Sequence, residues 1–302
     1  MTALAIKEQT SELPDQSSAL NDEPGVQRLF RGSETEVLNF LRRRPAHTAY
    51  LSGLVHANGL ESPLNRGDFY SYRDSQSKIK GVALIGHAVT FETTSIRAAR
   101  ALGRVASKHH GSILLRGESK QIGAFWAPYE DLGRAASKTC REHLLELKVP
   151  FASDDPDCCL RPAKTDELDQ VVAMNLELLA IERGTDQPPP DRVGLQERLL
   201  QRIKGEHVWV WVSDGKVIFK AEIITRTPDV IYLEGVFVNQ HARGKGNGIR
   251  SMRQLGRSLL KDAKSICLFV NESNVAALGL YGKAGYHALG HYETIYLKSN
   301  PT

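Results

Sequence analysis

The chain predicts an α/β fold that is built twice. Three observations carry this expectation. Short β-branched apolar runs alternate with stretches whose apolar residues recur at spacings of three and four. The two halves repeat one order of elements: a strand, two helices, then a strand pair joined by a polar turn. And from Val230 to Leu260 a buried strand, a glycine-rich turn and a helix start follow one another. With 302 residues and 41% apolar content, the chain is long enough for two cores.

The first 24 residues, rich in Ser, Glu, Gln and Asp without periodicity, are expected to be a disordered tail. Val26 to Phe30 reads as a short strand. Ser33 caps a helix whose apolar side is Val37, Leu38, Phe40 and Leu41, ended by Pro45. A second helix covers Thr48 to Ala57, closed by Asn58-Gly59. Asp68 to Tyr72 alternates as a strand, Asp74 to Ser77 turns, and Lys78 to Thr90 forms one apolar strand. Helix Thr94 to Lys108, strand Ser112 to Arg116, helix Ser119 to Ala127 and a longer helix Tyr129 to Lys148 follow, the last interrupted by Gly133.

Residues 150–157, with three Asp, two Pro and a Ser, read as a linker. Then the order restarts. Cys159 to Arg161 is a strand, Thr165 caps a helix over Asp166 to Asn175, and Gly184 to Pro190 is a loop. Helix Asp191 to Lys204, strand Val208 to Val212, the hairpin turn Asp214-Gly215 and strand Lys216 to Thr225 come next. Strand Val230 to Val238, the glycine turn and its helix follow. Ser265 to Val270 is a buried strand, and His291 to Leu297 the last one.

The turn Arg243-Gly-Lys-Gly-Asn-Gly248 sits between a strand and a helix, so its backbone N–H groups are directed outward at the positive helix end, a site suited to phosphate. It is not a P-loop, because Lys245 precedes Gly246 and no Ser or Thr follows for magnesium. Nor does Gly244-Lys-Gly246-Asn-Gly248 have the G-x-G-x-x-G spacing of a dinucleotide fingerprint. The spacing it does have is R-x-x-G-x-G, carried by Arg243, Gly246 and Gly248.

That motif resembles the acetyl-CoA loop of the GNAT acetyltransferase superfamily. A second stretch, Asn274-Val-Ala-Ala277-Leu-Gly-Leu-Tyr281-Gly-Lys283-Ala-Gly285-Tyr286, is similar to the family's other signature at every specified position. The resemblance implies two tandem GNAT-like domains, each a mixed, mostly antiparallel sheet flanked by helices: residues 25–149 and 158–302. It further implies that acetyl-CoA is the co-substrate and that it lies between two splayed strands. There the backbone of Phe237 and Val238 would meet its pantetheine and acetyl groups, and Arg243, Gly244, Lys245, Gly246, Asn247 and Gly248 would cradle the pyrophosphate. Asn274 would bond the pantetheine arm. Arg250, in the first helical turn, is either a 3′-phosphate ligand or an exposed helix arginine. The first half has no such glycines, since Ser95-Ile-Arg-Ala-Ala-Arg follows its strand. It is therefore expected to be a degenerate copy, and the C-terminal domain the catalytic one.

The implied reaction is attack of a primary amine on a thioester in a ternary complex. It needs a base for the amine, donors for the oxyanion and an acid for the thiolate. Tyr281 stands where the family places its acid, and a phenol suits a thiolate in basicity. Glu234 interrupts an apolar strand, a costly place for a carboxylate unless it faces a polar cleft, and is the candidate base, with Glu222 as the alternative. The acceptor is a small molecule or a protein or peptide amine. A non-catalytic acetyl-CoA sensor is the other reading, which would need neither acid nor base.

A net charge of +4 and pI near 8.8 suit an anionic ligand, while no basic stripe with interleaved aromatics argues for nucleic acid. Arg42-Arg43-Arg44 reads as the end of a helix, and Trp209 and Trp211 as one face of a strand. The four cysteines and the histidines lack metal-ligand spacing, so no metal is expected and the thiols are read as reduced. Without a membrane span or secretory segment, a cytoplasmic protein is expected, with no membrane partner and a homodimer as one possibility.

Overall fold

The computed structural model describes residues 23–151, 159–183 and 191–298. All but the last two residues of the expected tail, most of the linker and the proline-containing loop before Asp191 lie outside these residues. In chain order the elements are β1 (Val26–Arg28), α1 (Glu34–Leu41), α2 (Pro45–Asn58), β2 (Gly67–Arg73), β3 (Ile79–Gly86), β4 (Ala88–Thr93), α3 (Ile96–Ser107), β5 (Leu114–Glu118), α4 (Ser119–Asp131) and β6 (Ala136–Leu147). Then come β7 (Leu160–Pro162), α5 (Leu168–Arg183), α6 (Arg192–Lys204), β8 (Val208–Ser213), β9 (Lys216–Arg226), β10 (Ile231–Val238), α7 (Asn247–Leu259), β11 (Ile266–Asn271), α8 (Val275–Lys283) and β12 (His287–Leu297).

These residues form two compact units. One gathers residues 23–144, 270–274 and 288–298; the other holds 145–269 and 275–287. The C-terminal strand is thus counted with the N-terminal unit, which a contiguous boundary at residue 157 does not anticipate.

In the N-terminal unit the strand order is β1-β2-β3-β4-β5-β12-β6. The first three neighbouring pairs are antiparallel, β4 and β5 are parallel, and β12 lies antiparallel to β5. The two-residue period of β3 sends Val82 and Leu84 into a core with Val37, Phe40, Leu41 and Val55 of α1 and α2. Ala83 and Ile85 go to the other face, against Ala98, Leu102 and Val105 of α3 and Phe125 of α4. In the C-terminal unit the order is β7-β8-β9-β10-β11, again three antiparallel pairs and then a parallel one. One core there joins Val171, Leu195, Leu199 and Ile203 of α5 and α6 to Val208, Val210, Val217 and Phe237. Helix α7 buries Met252, Leu255 and Leu259, the i, i+3, i+7 stripe of its sequence.

Four local expectations are corrected. The single strand Lys78 to Thr90 is two, β3 and β4, turning at His87. Pro45 does not merely end a helix; it occupies the first position of α2, where its missing N–H costs nothing. Thr165 opens a short 3-10 turn rather than capping α5, and the Glu167 carboxylate accepts from the Lys164 N–H at 2.7 Å. The expected helix Tyr129 to Lys148 is the end of α4 followed by strand β6. Gly133, at φ +69°, closes the helix. Beyond it β6 pairs with β12: Lys298 N–H donates to the Ala135 carbonyl at 3.0 Å, and between side chains Thr294 Oγ1 donates to Glu142 Oε2 at 2.7 Å. Among the described residues, no helix is long and apolar enough to cross a membrane.

Candidate active site

The site is organised by where β10 parts from β11. Their parallel register runs over Ile231–Leu233 and Ile266–Leu268. Beyond Leu233, β10 continues through Glu234, Gly235, Val236, Phe237 and Val238 with register against β9 alone. A polar strand edge is left there that an extended ligand can pair with.

That open stretch contains a bulge. Glu234 pairs with Glu222 and Phe237 with Lys220, so Gly235 and Val236 stand opposite one residue of β9. Gly235 has φ +60°, and a side chain there would place its Cβ 2.7 Å from Glu222 Oε1 and 3.0 Å from Lys220 Nζ. Only glycine fits both the backbone and the space.

Under the bulge lies a charge cluster that sequence reading did not foresee. Lys220 is fully buried, and its Nζ donates to Glu222 Oε1 and to the Gly235 carbonyl, each at 2.8 Å. Arg202 of α6 donates to Glu222 Oε2 at 2.5 Å, and Asn175 adds a side-chain hydrogen bond. Burial by itself raises the Glu222 pKa, but the charges of Lys220 and Arg202 outweigh it and hold the carboxyl at about 2. Both its oxygens are engaged, and so acidic a group has no basicity with which to take a proton from an amine. Glu222 is therefore set aside as an alternative base. Glu234, half-buried on the neighbouring strand, instead accepts from the Tyr232 hydroxyl at 2.5 Å.

β10 leads into the glycine turn. Gly244 and Gly246 both have φ +74°, and Gly246 is the N-cap residue of α7. Gly244, Lys245 and Gly246 are exposed, and nothing lies within 4 Å of a Cβ placed on either glycine. The turn is thus open to a ligand at the positive end of a thirteen-residue helix that has no acidic residue in its first turn. Asn247 braces it from beneath, its Nδ2 donating to the Ala242 carbonyl at 3.0 Å. Arg243 lies over the Phe237 ring at 5.1 Å, and its Nε donates to the Val238 carbonyl at 3.0 Å. Arg250 donates to Asn247 Oδ1 at 2.7 Å and lies 5.2 Å over the Trp211 ring, so it is held rather than splayed into solvent. Trp209 and Trp211 are only half-buried.

Gly248 ties three elements together, since a Cβ there would lie 3.1 Å from Val238 Cγ2 of β10 and 3.2 Å from Leu280 Cδ1 of α8. Next to Leu280, Tyr281 is buried, and burial, with the Glu182 charge second, raises its pKa well above that of a free phenol. The phenol is a neutral donor throughout the physiological range. Asn274 is exposed on the turn before α8, its N–H donating to the Asn271 carbonyl at 2.9 Å. It is grouped with the residues of the N-terminal unit. The structure so brings Glu234, Phe237, Val238, the glycine turn and Tyr281 into one unit.

The equivalent place in the N-terminal unit is built differently. The parallel register of β4 and β5 also stops early, at Thr90 and Arg116. Past it, Glu92 and Glu118 are joined by Arg44, whose Nη1 donates to both at 2.8 Å, and Arg44 also meets His47, which bonds the Tyr292 hydroxyl at 2.9 Å. Helix α3 has no glycine turn; the Ser95 Oγ accepts from the Ala98 N–H at 3.1 Å and caps the helix itself. Sequence pattern foresaw the missing glycines but not the salt bridge, because Arg44, Glu92 and Glu118 are 26 or more residues apart. Among the described residues, no group of three or more His, Cys, Asp and Glu could hold a metal ion.

The pattern of the acetyltransferase (GNAT) family matches residues 171–286. No curated protein sequence matches the chain. Among solved structures, the chain is similar to a GNAT-family acetyltransferase from Colwellia psychrerythraea, at TM-score 0.56 and 12% identity, covering 90% of this chain and 99% of that one. A Drosophila protein superposes at TM-score 0.66 with 14% identity, over 92% and 99% of the two chains. A tandem GNAT protein from the clavulanic acid biosynthesis pathway does so at 0.54 and 13%, again over 92% and 99%. At these identities the likeness is one of fold, and it extends over both units. Over residues 171–286, then, the chain is similar to the acetyltransferase (GNAT) family, whose pattern matches there.

Proposed function

We propose that the protein is an acetyl-CoA-dependent N-acetyltransferase with one active site, in its C-terminal unit, acting on a primary amine. The observation that carries this reading is the continuity of the open β10 stretch, Glu234 to Val238, with the two left-handed glycines that begin α7. An extended pantetheine fits the first, and a pyrophosphate the second. Gly244 to Gly248 would receive the pyrophosphate on backbone N–H groups, with Lys245 and Arg243 supplying charge. In the N-terminal unit the Arg44 bridge and the Ser95 cap occupy the corresponding places, which supports a single site.

In the reaction the neutral amine attacks the thioester carbonyl carbon. Glu234 takes the amine proton, directly or through a water, as the C–N bond forms. The C–S bond then breaks, and the leaving thiolate takes a proton from Tyr281. The acceptor follows from no single residue; a carboxylate on the open strand favours a cationic amine over an acidic one. The experiment is an amine-library screen with acetyl-CoA, followed by free-thiol release. Turnover with a subset of amines is expected. Tight acetyl-CoA binding by calorimetry with no turnover on any amine would instead make the protein a sensor.

A further inference from the structure

We propose that Lys220 is a positioning residue for the acetyl carbonyl, holding and polarising the Gly235–Val236 peptide so that the Val236 N–H can stabilise negative charge on the thioester oxygen. The inference rests on the acetyl-CoA reading above and adds a group that reading does not use.

A fully buried ammonium is expensive by several kcal/mol unless it is paired and its donors are used. Glu222 already has a partner in Arg202, so pairing that carboxylate does not by itself require a second cation. The contact particular to Lys220 is the other one, to the Gly235 carbonyl at 2.8 Å. The bulge displaces this half-buried carbonyl from the regular β9–β10 register, so that it needs a donor from elsewhere. Lys220 supplies it.

The consequence falls on the other side of the same peptide. A trans peptide is planar and carries its C=O and N–H in opposed directions. With the Gly235 oxygen fixed on Lys220, the Val236 N–H is directed away from the ammonium, in the stretch of β10 that β11 no longer accompanies. A cation on the carbonyl also draws electron density from the amide and strengthens its N–H as a donor, as in any hydrogen-bonded chain. Gly235 at φ +60° fits tightly against Lys220 and Glu222, so this peptide is fixed before a ligand arrives. Prefixed donors of this kind are what an oxyanion requires.

The test compares acetyl-CoA with CoA, which lacks the carbonyl in question. The variant is Lys220→Met combined with Glu222→Gln, which leaves neither partner of the pair charged and alone. Calorimetry should show acetyl-CoA affinity reduced about tenfold, the worth of one good hydrogen bond, with CoA affinity held within about twofold. The carbonyl carbon of 13C-labelled acetyl-CoA should shift on binding to the wild-type protein and return toward its free position in the variant. Should the double variant fail to fold, Lys220→Gln, which keeps a neutral donor, should give the same pattern in smaller measure. Equal loss for both ligands, or an unchanged carbon shift, would make Lys220 a structural residue only and overturn the proposal. A wild-type protein that binds neither ligand would overturn the acetyl-CoA reading itself, and this inference with it.

Discussion

Tyr281 and Tyr286 lie with ring centroids 5.8 Å apart, and the Tyr286 N–H returns to the Tyr281 carbonyl at 3.0 Å. Burial raises both phenols above the ordinary tyrosine range. They differ in their hydroxyls: that of Tyr286 is buried with no hydrogen-bond partner among the described residues. Removing an unsatisfied buried hydroxyl is close to neutral, so Tyr286→Phe should leave turnover unchanged and melting temperature the same or slightly higher. Tyr281→Phe should lower kcat about a hundredfold, the scale of a lost general acid, with acetyl-CoA affinity within about twofold. Steady-state thiol release and calorimetry on the two variants check both. Full activity of Tyr281→Phe would remove it as the acid.

Gly246→Val tests the glycine turn. At φ +74° an L-residue costs roughly 1–2 kcal/mol, and a β-branched one more. A Cβ there meets no neighbour within 4 Å, so the core is undisturbed and the effect falls on the turn and on any ligand approaching it. Acetyl-CoA affinity should fall by at least about tenfold while the protein stays folded by circular dichroism. Unchanged affinity would separate this turn from the cofactor.

How much of this was legible in the sequence depends on the range of the interactions. The glycine turn, Tyr281 and Glu234 stand out in the sequence because each belongs to a motif or a strand that local pattern defines. The same holds for β8, β9 and β10, where β-branched content and the Asp214-Gly215 turn set the boundaries. Residues 136–147 form a strand where local pattern predicts a helix, because Leu144, Leu145 and Leu147 suit a helix as well as a strand. What decides is the pairing of β6 with β12, about 150 residues further along the chain, to which the Thr294 hydroxyl adds a side-chain bond to Glu142. The Lys220 cluster was hidden for a related reason. Lys220 and Glu222 alternate like any solvated strand face, and only the bulge at Gly235 and the approach of Arg202 show them to be buried. Nor does the chain order reveal that β12 is counted with the N-terminal unit.

The Arg44 bridge predicts a pH dependence of stability. Glu92 and Glu118 share one guanidinium. Burial first, and the Glu118 charge with it, push Glu92 up to about 7 against the pull of Arg44, whereas Arg44 holds the less buried Glu118 below its usual value. A carboxyl raised on folding stabilises fully below its unfolded pKa of 4.5, and that contribution is lost as pH rises through 7. Wild-type stability should therefore decline between about pH 5 and 8 relative to Glu92→Gln, which cannot ionise. Thermal melts of the two proteins across that range check it. Parallel curves would mean that Glu92 is ionised throughout.

Glu222 predicts the opposite slope. Its folded pKa of about 2 lies below the ordinary 4.5, so its stabilisation is present above pH 4.5 and lost as pH falls toward 2. A shift of this size corresponds to something on the order of 3 kcal/mol. Glu222→Gln removes the partner of an ammonium that is 0% exposed, and it should destabilise the protein by about 3–5 kcal/mol at neutral pH. Replacing Lys220 by Met in the same chain should recover part of that loss, because no buried lysine charge is then left unpaired. The coupling is read from melting temperatures of the two single variants and the double at pH 7, and again at pH 3, where the wild-type advantage over Glu222→Gln should narrow. Additive losses at pH 7 would mean that Lys220 and Glu222 do not act as a pair. A buried pair that tightens the β10 bulge and is released by acid would then no longer account for the fold at this site.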